Sequence, residues 1–204
     1  MLVKISPGNT KMGAVPSVSL PAYYTCRHDC ECCKKCYARK LERIRKSVRD
    51  AYQSNYRLLE ENPETYWREV EASVMMTRFF RFHVSGDIPN EDYLLHMISI
   101  AQRNSHCEIL CFTKKFSIVN QYLDSTGGVL PDNLHIVFSG WRNLQMENPY
   151  ALPEAHVLYR DGTTTAASGY IPCGGNCASC ATTGAGCWTL KRGQQIVFKE
   201  HYGL

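Results

Sequence analysis

Nine of the eleven cysteines in this chain fall into two short clusters, one near each end, and that spacing constrains the fold more than any other feature. The first cluster, TCRHDCECCKKCYA, carries Cys26, Cys30, Cys32, Cys33 and Cys36. The second, IPCGGNCASCATTGAGCW, carries Cys173, Cys177, Cys180 and Cys187. Thiolates a few residues apart converge on one metal ion or cluster, whereas neighbours such as Cys32 and Cys33 bridge each other poorly. The chain is therefore expected to build its fold or function around bound metal. Reduced thiols of this kind belong to a cytoplasmic setting. No apolar run reaches membrane-spanning length, and the opening MLVKISPGNTKMG lacks the apolar centre of a secretory signal, so no membrane association is expected.

At 204 residues and 44% hydrophobic content, the chain has the size of one domain with a small appendage. Residues 1–160 read as an α/β core that includes the cysteine loop 26–36, and 161–204 as a carboxy-terminal cysteine-rich metal-binding segment packed on it. A short strand is expected near Val18 to Leu20. A helix from Tyr37 to Glu60 follows, with Tyr37, Leu41, Ile44, Val48 and Tyr52 on its buried face. Asn62-Pro63-Glu64 supplies a capping side chain, a first-turn proline and an acid at the positive end of the dipole, which predicts a second helix to Met76. Types then alternate: strand Phe79 to Ser85, a helix capped by Asn90, strand Glu108 to Phe112, helix Phe116 to Leu123, strand Leu134 to Ser139 and strand Ala155 to Arg160. QIVFK forms a last strand. Such alternation implies right-handed crossovers and a largely parallel sheet, here a partial (β/α) barrel with cysteine-rich loops near both ends.

Cys26, Cys30 and Cys33 spell C-x3-C-x2-C, a loop that presents three thiolates to a 4Fe-4S cluster and leaves the fourth iron open. Radical S-adenosylmethionine enzymes use that spacing, usually with an aromatic residue before the last cysteine, where this chain has Cys32. Cys26, Cys32 and Cys36, or Cys30, Cys33 and Cys36, are alternative triples. The four carboxy-terminal cysteines suit a closed 4Fe-4S cluster or, alternatively, zinc. His28 lies inside the first cluster as a candidate ligand, although a solvated loop residue is the commoner role. Cys111 and His83 read as core residues, and His201 as an ordinary one.

In parallel sheets, ligands bind at the carboxyl ends of the strands. Those ends carry Ser85-Gly86-Asp87, Thr113-Lys114-Lys115 and Ser139-Gly140-Trp141, so a shared site beside the first cysteine loop is expected. From Arg27 to Arg49 there are nine Lys or Arg against three acids. The bland reading is a solvated helix face. The sharper one is phosphate contact by the basic segment 34–49, with nucleic acid as partner.

Blocks along almost the whole chain resemble the phage gene-product-88-like family: ISPGNTKMG (5–13), SLP and TC (19–26), CYA (36–38), SVRDAYQSN (47–55), FFRFHVSGDIP (79–89), FTKKF (112–116), VFSGW (137–141) and the closing CW…VFKEH. The resemblance implies a protein of bacteriophages, prophages or mobile elements, in a family of unknown function. In the family pattern the cysteines are similar to Cys26, Cys32 and Cys36, which leaves Cys30 and Cys33 as extras of this chain. A more distant similarity is to radical S-adenosylmethionine-like phage proteins whose cysteine loop ends in CYA. The leading expectation is thus a radical S-adenosylmethionine-like enzyme with one or two 4Fe-4S clusters, in which Ser85, Gly86 and Asp87 receive S-adenosylmethionine. The alternatives are a zinc-stabilised module that binds nucleic acid or a host protein, and a two-cluster electron-transfer protein.

Overall fold

The computed structural model describes residues 2–200; His201 lies outside the described residues. Its centre is one eight-stranded sheet in the order β1-β2-β3-β4-β5-β6-β8-β7. In chain order, β1 to β8 are Ile5–Ser6, Ser17–Val18, Phe79–Phe82, Glu108–Thr113, Leu134–Ser139, Glu154–Leu158, Ile171–Pro172 and Gln195–Lys199. The β1–β2 pair is antiparallel and the other six pairings are parallel. The sheet is open, with β1 and β7 at its edges. The expected alternation of strands and helices is therefore present in a mostly parallel sheet, and among the described residues no pairing closes it into a barrel.

Side-chain alternation along the strands builds two cores. On one face Phe80, Phe82, Ile109, Ile136 and Phe138 meet the helices. These are α4 (Pro63–Met75), α5 (Glu91–Arg103) and α6 (Phe116–Ser125), preceded by α1 (Ala22–Thr25), α2 (Tyr37–Ile44) and α3 (Lys46–Glu61). On the other face Leu110, Val137 and Ile196 pack against Met12, Val15 and three residues of the carboxy-terminal segment, Ala181, Trp188 and Leu190. The sheet is thus covered on both sides, as its continuous apolar strands require.

The predicted helix starts are present. Asn62 accepts from Thr65 N at 3.0 Å ahead of Pro63, and Asn90 accepts from Tyr93 N at 2.9 Å. The long helix expected from Tyr37 to Glu60 is instead two, broken at Arg45, whose backbone is extended (φ −119°, ψ 96°). The apolar stripe is not its buried face either, since Tyr37 and Ile44 are 51% and 56% exposed. Polar anchors turn the helices. Buried Glu42 accepts from Ala22 N (3.0 Å) and Ser85 Oγ (3.1 Å). Buried Asn55 accepts from Lys4 N (2.7 Å) and donates to Lys4 O (3.0 Å) and Ser19 O (3.1 Å). Each polar group is satisfied, so its burial costs little, and its directional bonds override the apolar periodicity. The strand expected to reach Ser85 stops at Phe82, because His83 takes a positive φ of 60°. His83 is a satisfied core histidine: its Nε2 is 3.1 Å from Tyr93 Oη. Cys111 is fully buried in β4. Among the described residues no helix is long and apolar enough to cross a membrane.

Candidate metal centres

The amino-terminal cysteine loop begins where β2 leaves the sheet, so it lies at the carboxyl end of the parallel strands. Its attachment is polar and close. Gly86 has φ 85°, and a Cβ there would stand 2.7 Å from Leu20 O and 2.8 Å from Thr25 Oγ1. Only glycine lets these backbones approach so nearly. Next to it, Thr25 Oγ1 accepts from Asp87 N at 3.0 Å and donates to Pro21 O at 3.0 Å. The buried Asp87 carboxylate then crosses to the next strand. Its Oδ1 accepts from Thr113 Oγ1 (2.6 Å) and Ile88 N (2.8 Å), and its Oδ2 from Lys114 N (2.9 Å). Lys114 Nζ continues the chain to Ser139 Oγ at 3.0 Å. The three polar strand ends read from sequence therefore form one connected rim. Ser85, Gly86 and Asp87 have their polar and steric capacity turned mainly to the chain itself.

Within the loop, the sulfurs of Cys30, Cys32 and Cys33 all lie within 4.8 Å of one another. Cys30 and Cys32 are joined as a disulfide, so ligation by this trio requires the reduced pair. That trio differs from all three triples read from spacing. Cys33 Sγ donates to Arg27 O at 3.0 Å, and Cys36 Sγ caps α2 by accepting from Arg39 N at 3.5 Å. The Cys26 thiol is pushed up to about 12, first by burial and then by the Asp87 charge. Lys114 acts in the opposite sense, and Cys36 and Cys33 add smaller effects in the same direction as Asp87. His28 Nδ1 faces Arg39 Nη2 at 2.7 Å, so that ring nitrogen is turned to a cation.

The carboxy-terminal cysteines belong to the sheet's other face. Cys173 follows β7 and its amide donates to Val197 O at 2.9 Å. Cys177 opens helix α7 (Cys177–Thr183), which Asn176 caps by accepting from Ser179 N at 2.9 Å. The Cys177 and Ala178 amides reach Lys11 O and Met12 O, at 3.2 and 2.9 Å. A 3-10 turn, Gly186–Trp188, carries Cys187 and drives Trp188 beneath the sheet, where its Nε1 donates to Cys177 O at 3.1 Å. Gly175 N donates to Cys173 Sγ at 3.4 Å, the amide-to-sulfur bond that a glycine-rich loop allows. Two cations face these thiols. Arg81 Nη1 is 4.0 Å from Cys177 Sγ, and its buried Nε has no hydrogen-bond partner among the described residues. Burial lowers the Lys11 ammonium, and Cys173 and Cys177 oppose that shift. Burial, then the Cys173 charge, pushes Cys187 up to about 12. No second trio within 4.8 Å is found among the described residues.

Both donor sets are all thiol, and cations lie beside each, Lys114 near Cys26 and Arg81 near Cys177, which suits anionic thiolates. The Cys30, Cys32 and Cys33 trio could hold a metal once its disulfide is reduced, whereas among the described residues the four carboxy-terminal cysteines expected to share one metal do not converge to that distance. Sequence reasoning missed Arg81, Thr25 and Glu42. They carry no motif, and only the folded register brings them to the cysteines. The family model described as Gene product 88 matches residues 3–192. No curated protein and no solved structure matches the chain.

Proposed function

This chain belongs to the gene product 88 family, and from that premise we propose that it is an iron–sulfur protein of a phage or mobile element acting as a small radical S-adenosylmethionine-like enzyme. The observation that carries the reading is the convergence of three cysteine sulfurs within 4.8 Å in a loop on the carboxyl rim of a parallel sheet, where this class of fold binds its ligands. Cys26, Cys30, Cys32, Cys33 and Cys36 supply more thiols than one three-ligand site needs. A 4Fe-4S cluster held by three of these cysteines would supply, when reduced, an electron to a bound sulfonium. The chain's own residues hold the loop in place. Gly86 lets it approach the rim, and Ser85 ties it to Glu42. Asp87 Oδ2, which takes one donor, keeps acceptor capacity for an ammonium group. Cys173, Cys177, Cys180 and Cys187 hold an auxiliary cluster or zinc in a structural role, balanced by Arg81 and Lys11. A reducing cytoplasm keeps the Cys30–Cys32 pair open for ligation.

Anaerobic purification with iron, sulfide and zinc analysis tests this reading. Iron and sulfide in similar amounts are expected, with an electron paramagnetic resonance signal that S-adenosylmethionine perturbs. A cluster blind to S-adenosylmethionine points to electron transfer instead. Zinc in both sites without iron overturns the reading in favour of a binding module.

A further inference from the structure

The parallel crossovers into β3, β4 and β5 each lay a helix on the sheet, but the connection from β5 to β6 is an irregular loop, residues 140–153. One face of β6 is thereby left without a helix over it. A cleft of about 510 Å³ occupies that place, lined by Trp141, Leu144 and Met146 together with Glu154, His156 and Thr165. Glu154 and His156 are two apart on the strand and so share this face.

Their hydrogen bonds have a fixed direction. Gln195 Oε1 accepts from Ala167 N (2.7 Å), which leaves its Nε2 to donate to Glu154 Oε2 (2.6 Å). Asn148 Oδ1 accepts from Leu152 N (2.8 Å), which leaves its Nδ2 to donate to Glu154 Oε1 (2.8 Å). Both amide orientations are thus set by backbone N–H groups. The donors converge on an ionised carboxylate, which only accepts, so the proton between Glu154 Oε2 and His156 Nε2 (2.9 Å) sits on the histidine. In the neutral ring Nδ1 is then the bare, basic nitrogen. It lies 2.8 Å from Thr165 Oγ1, so the threonine hydroxyl donates to it. The carboxylate and imidazole are held inside, with 16% and 5% of their side chains exposed, while Thr165 is exposed at the cleft. Gly140 gives the ring room, because a Cβ there would stand 2.6 Å from His156 Nδ1.

We propose that Thr165, His156 and Glu154 form a nucleophilic relay that cleaves carboxylic esters with an apolar acyl chain, a second activity of this chain distinct from its cysteine sites. Thr165 is the nucleophile, His156 the base, and Glu154 and Gln195 are positioning residues. Thr165 Oγ bonds the acyl carbon as its proton passes to His156 Nδ1. The bond from that carbon to the alcohol oxygen breaks, and the same proton leaves with the alcohol. Water then bonds the acyl carbon, gives one proton to Nδ1 and releases the carboxylic acid, and Thr165 Oγ recovers that proton. The side-chain amides of Asn143 and Gln145 line the cleft without a hydrogen bond among the described residues, and supply donors for the developing oxyanion. Trp141, Leu144 and Met146 select an apolar acyl group.

The intact protein should hydrolyse p-nitrophenyl butyrate, and an alkyl fluorophosphonate should add to Thr165, as read by peptide mass. Thr165→Ala removes one exposed hydroxyl and leaves the fold intact. It should abolish the adduct and lower hydrolysis by about a hundredfold or more. Thr165→Ser should keep both, and Gly140→Ala, which crowds the ring, should lose both. No adduct at Thr165, or hydrolysis unchanged in Thr165→Ala, overturns the proposal. The cleft contains no cysteine, so these readouts do not depend on the metal content.

Discussion

The amino-terminal cysteine loop hangs from the rim of the sheet by polar bonds, whereas the carboxy-terminal cysteines are packed beneath its face by apolar contact. In the first region the ties are Glu42, Thr25, Ser85 and Asn55, and Tyr23, Tyr24 and Tyr37 around it are more than half exposed. In the second, Trp188 and Leu190 are buried with Ala181 against Leu110 and Val137. Buried apolar area holds an element whether or not its thiols are occupied, while a few directional bonds hold a loop that can still admit a ligand. That difference is why a structural role is proposed for the second region and a ligand-binding role for the first.

The largest effect should come from Trp188→Ala. Emptying this buried site should cost about 3–5 kcal/mol in denaturant unfolding. It should expose Cys173, Cys177, Cys180 and Cys187 to alkylation while Cys26 to Cys36 keep their parent rates. If both clusters become reactive together, the two regions are one unit and the comparison fails.

Acid should weaken the first region through His83, beneath the rim. Burial, then the Arg81 charge, lowers this ring from its ordinary value to about 3, so the folded state resists a proton that the unfolded chain accepts. The contribution is complete above about pH 6.5 and is lost as pH falls toward 3, at roughly 1 kcal/mol per pH unit. Unfolding measured against pH should show that slope, and His83→Asn should flatten it.

Glu42→Ala leaves Ala22 N and Ser85 Oγ without their shared acceptor. It should cost about 1–3 kcal/mol and speed alkylation of Cys26 and Cys33 alone. The smallest effect belongs to Tyr37→Phe, which removes the hydroxyl that donates to Val84 O at 2.5 Å. A loss of about 0.5–1.5 kcal/mol, with the carboxy-terminal thiols undisturbed, would sharpen the contrast.

Where one local force decides, the sequence was readable. Asn62-Pro63 and Asn90 place helix starts because the cap is a contact within one turn, and LHIVFS is a strand because both its faces are covered. The Tyr37 to Glu60 helix misled because its buried side is chosen by Glu42 and Asn55, whose partners Ala22 and Lys4 are distant along the chain. The same holds for the sites. Cysteine spacing locates both clusters, but spacing cannot say that Cys30, Cys32 and Cys33 converge, nor that Arg81 arrives from β3 beside Cys177. The Glu154, His156 and Thr165 arrangement carries no motif in the sequence, since its logic lies in the missing helix after β5.

Both edges of the sheet are only two residues long, Ile5–Ser6 and Ile171–Pro172, and Pro172 has no amide hydrogen to offer. Stubs of this kind give a passing chain little to pair with. The stub at one edge is the strand that leads directly into Cys173, and behind it lies β8, a five-residue strand with Ile196 and Val197 at its centre. A carboxy-terminal segment that loses its grip would peel away the guard and uncover a sticky ribbon. Weakening of the Trp188 and Leu190 packing would then be felt first as loss of solubility, before any change in chemistry.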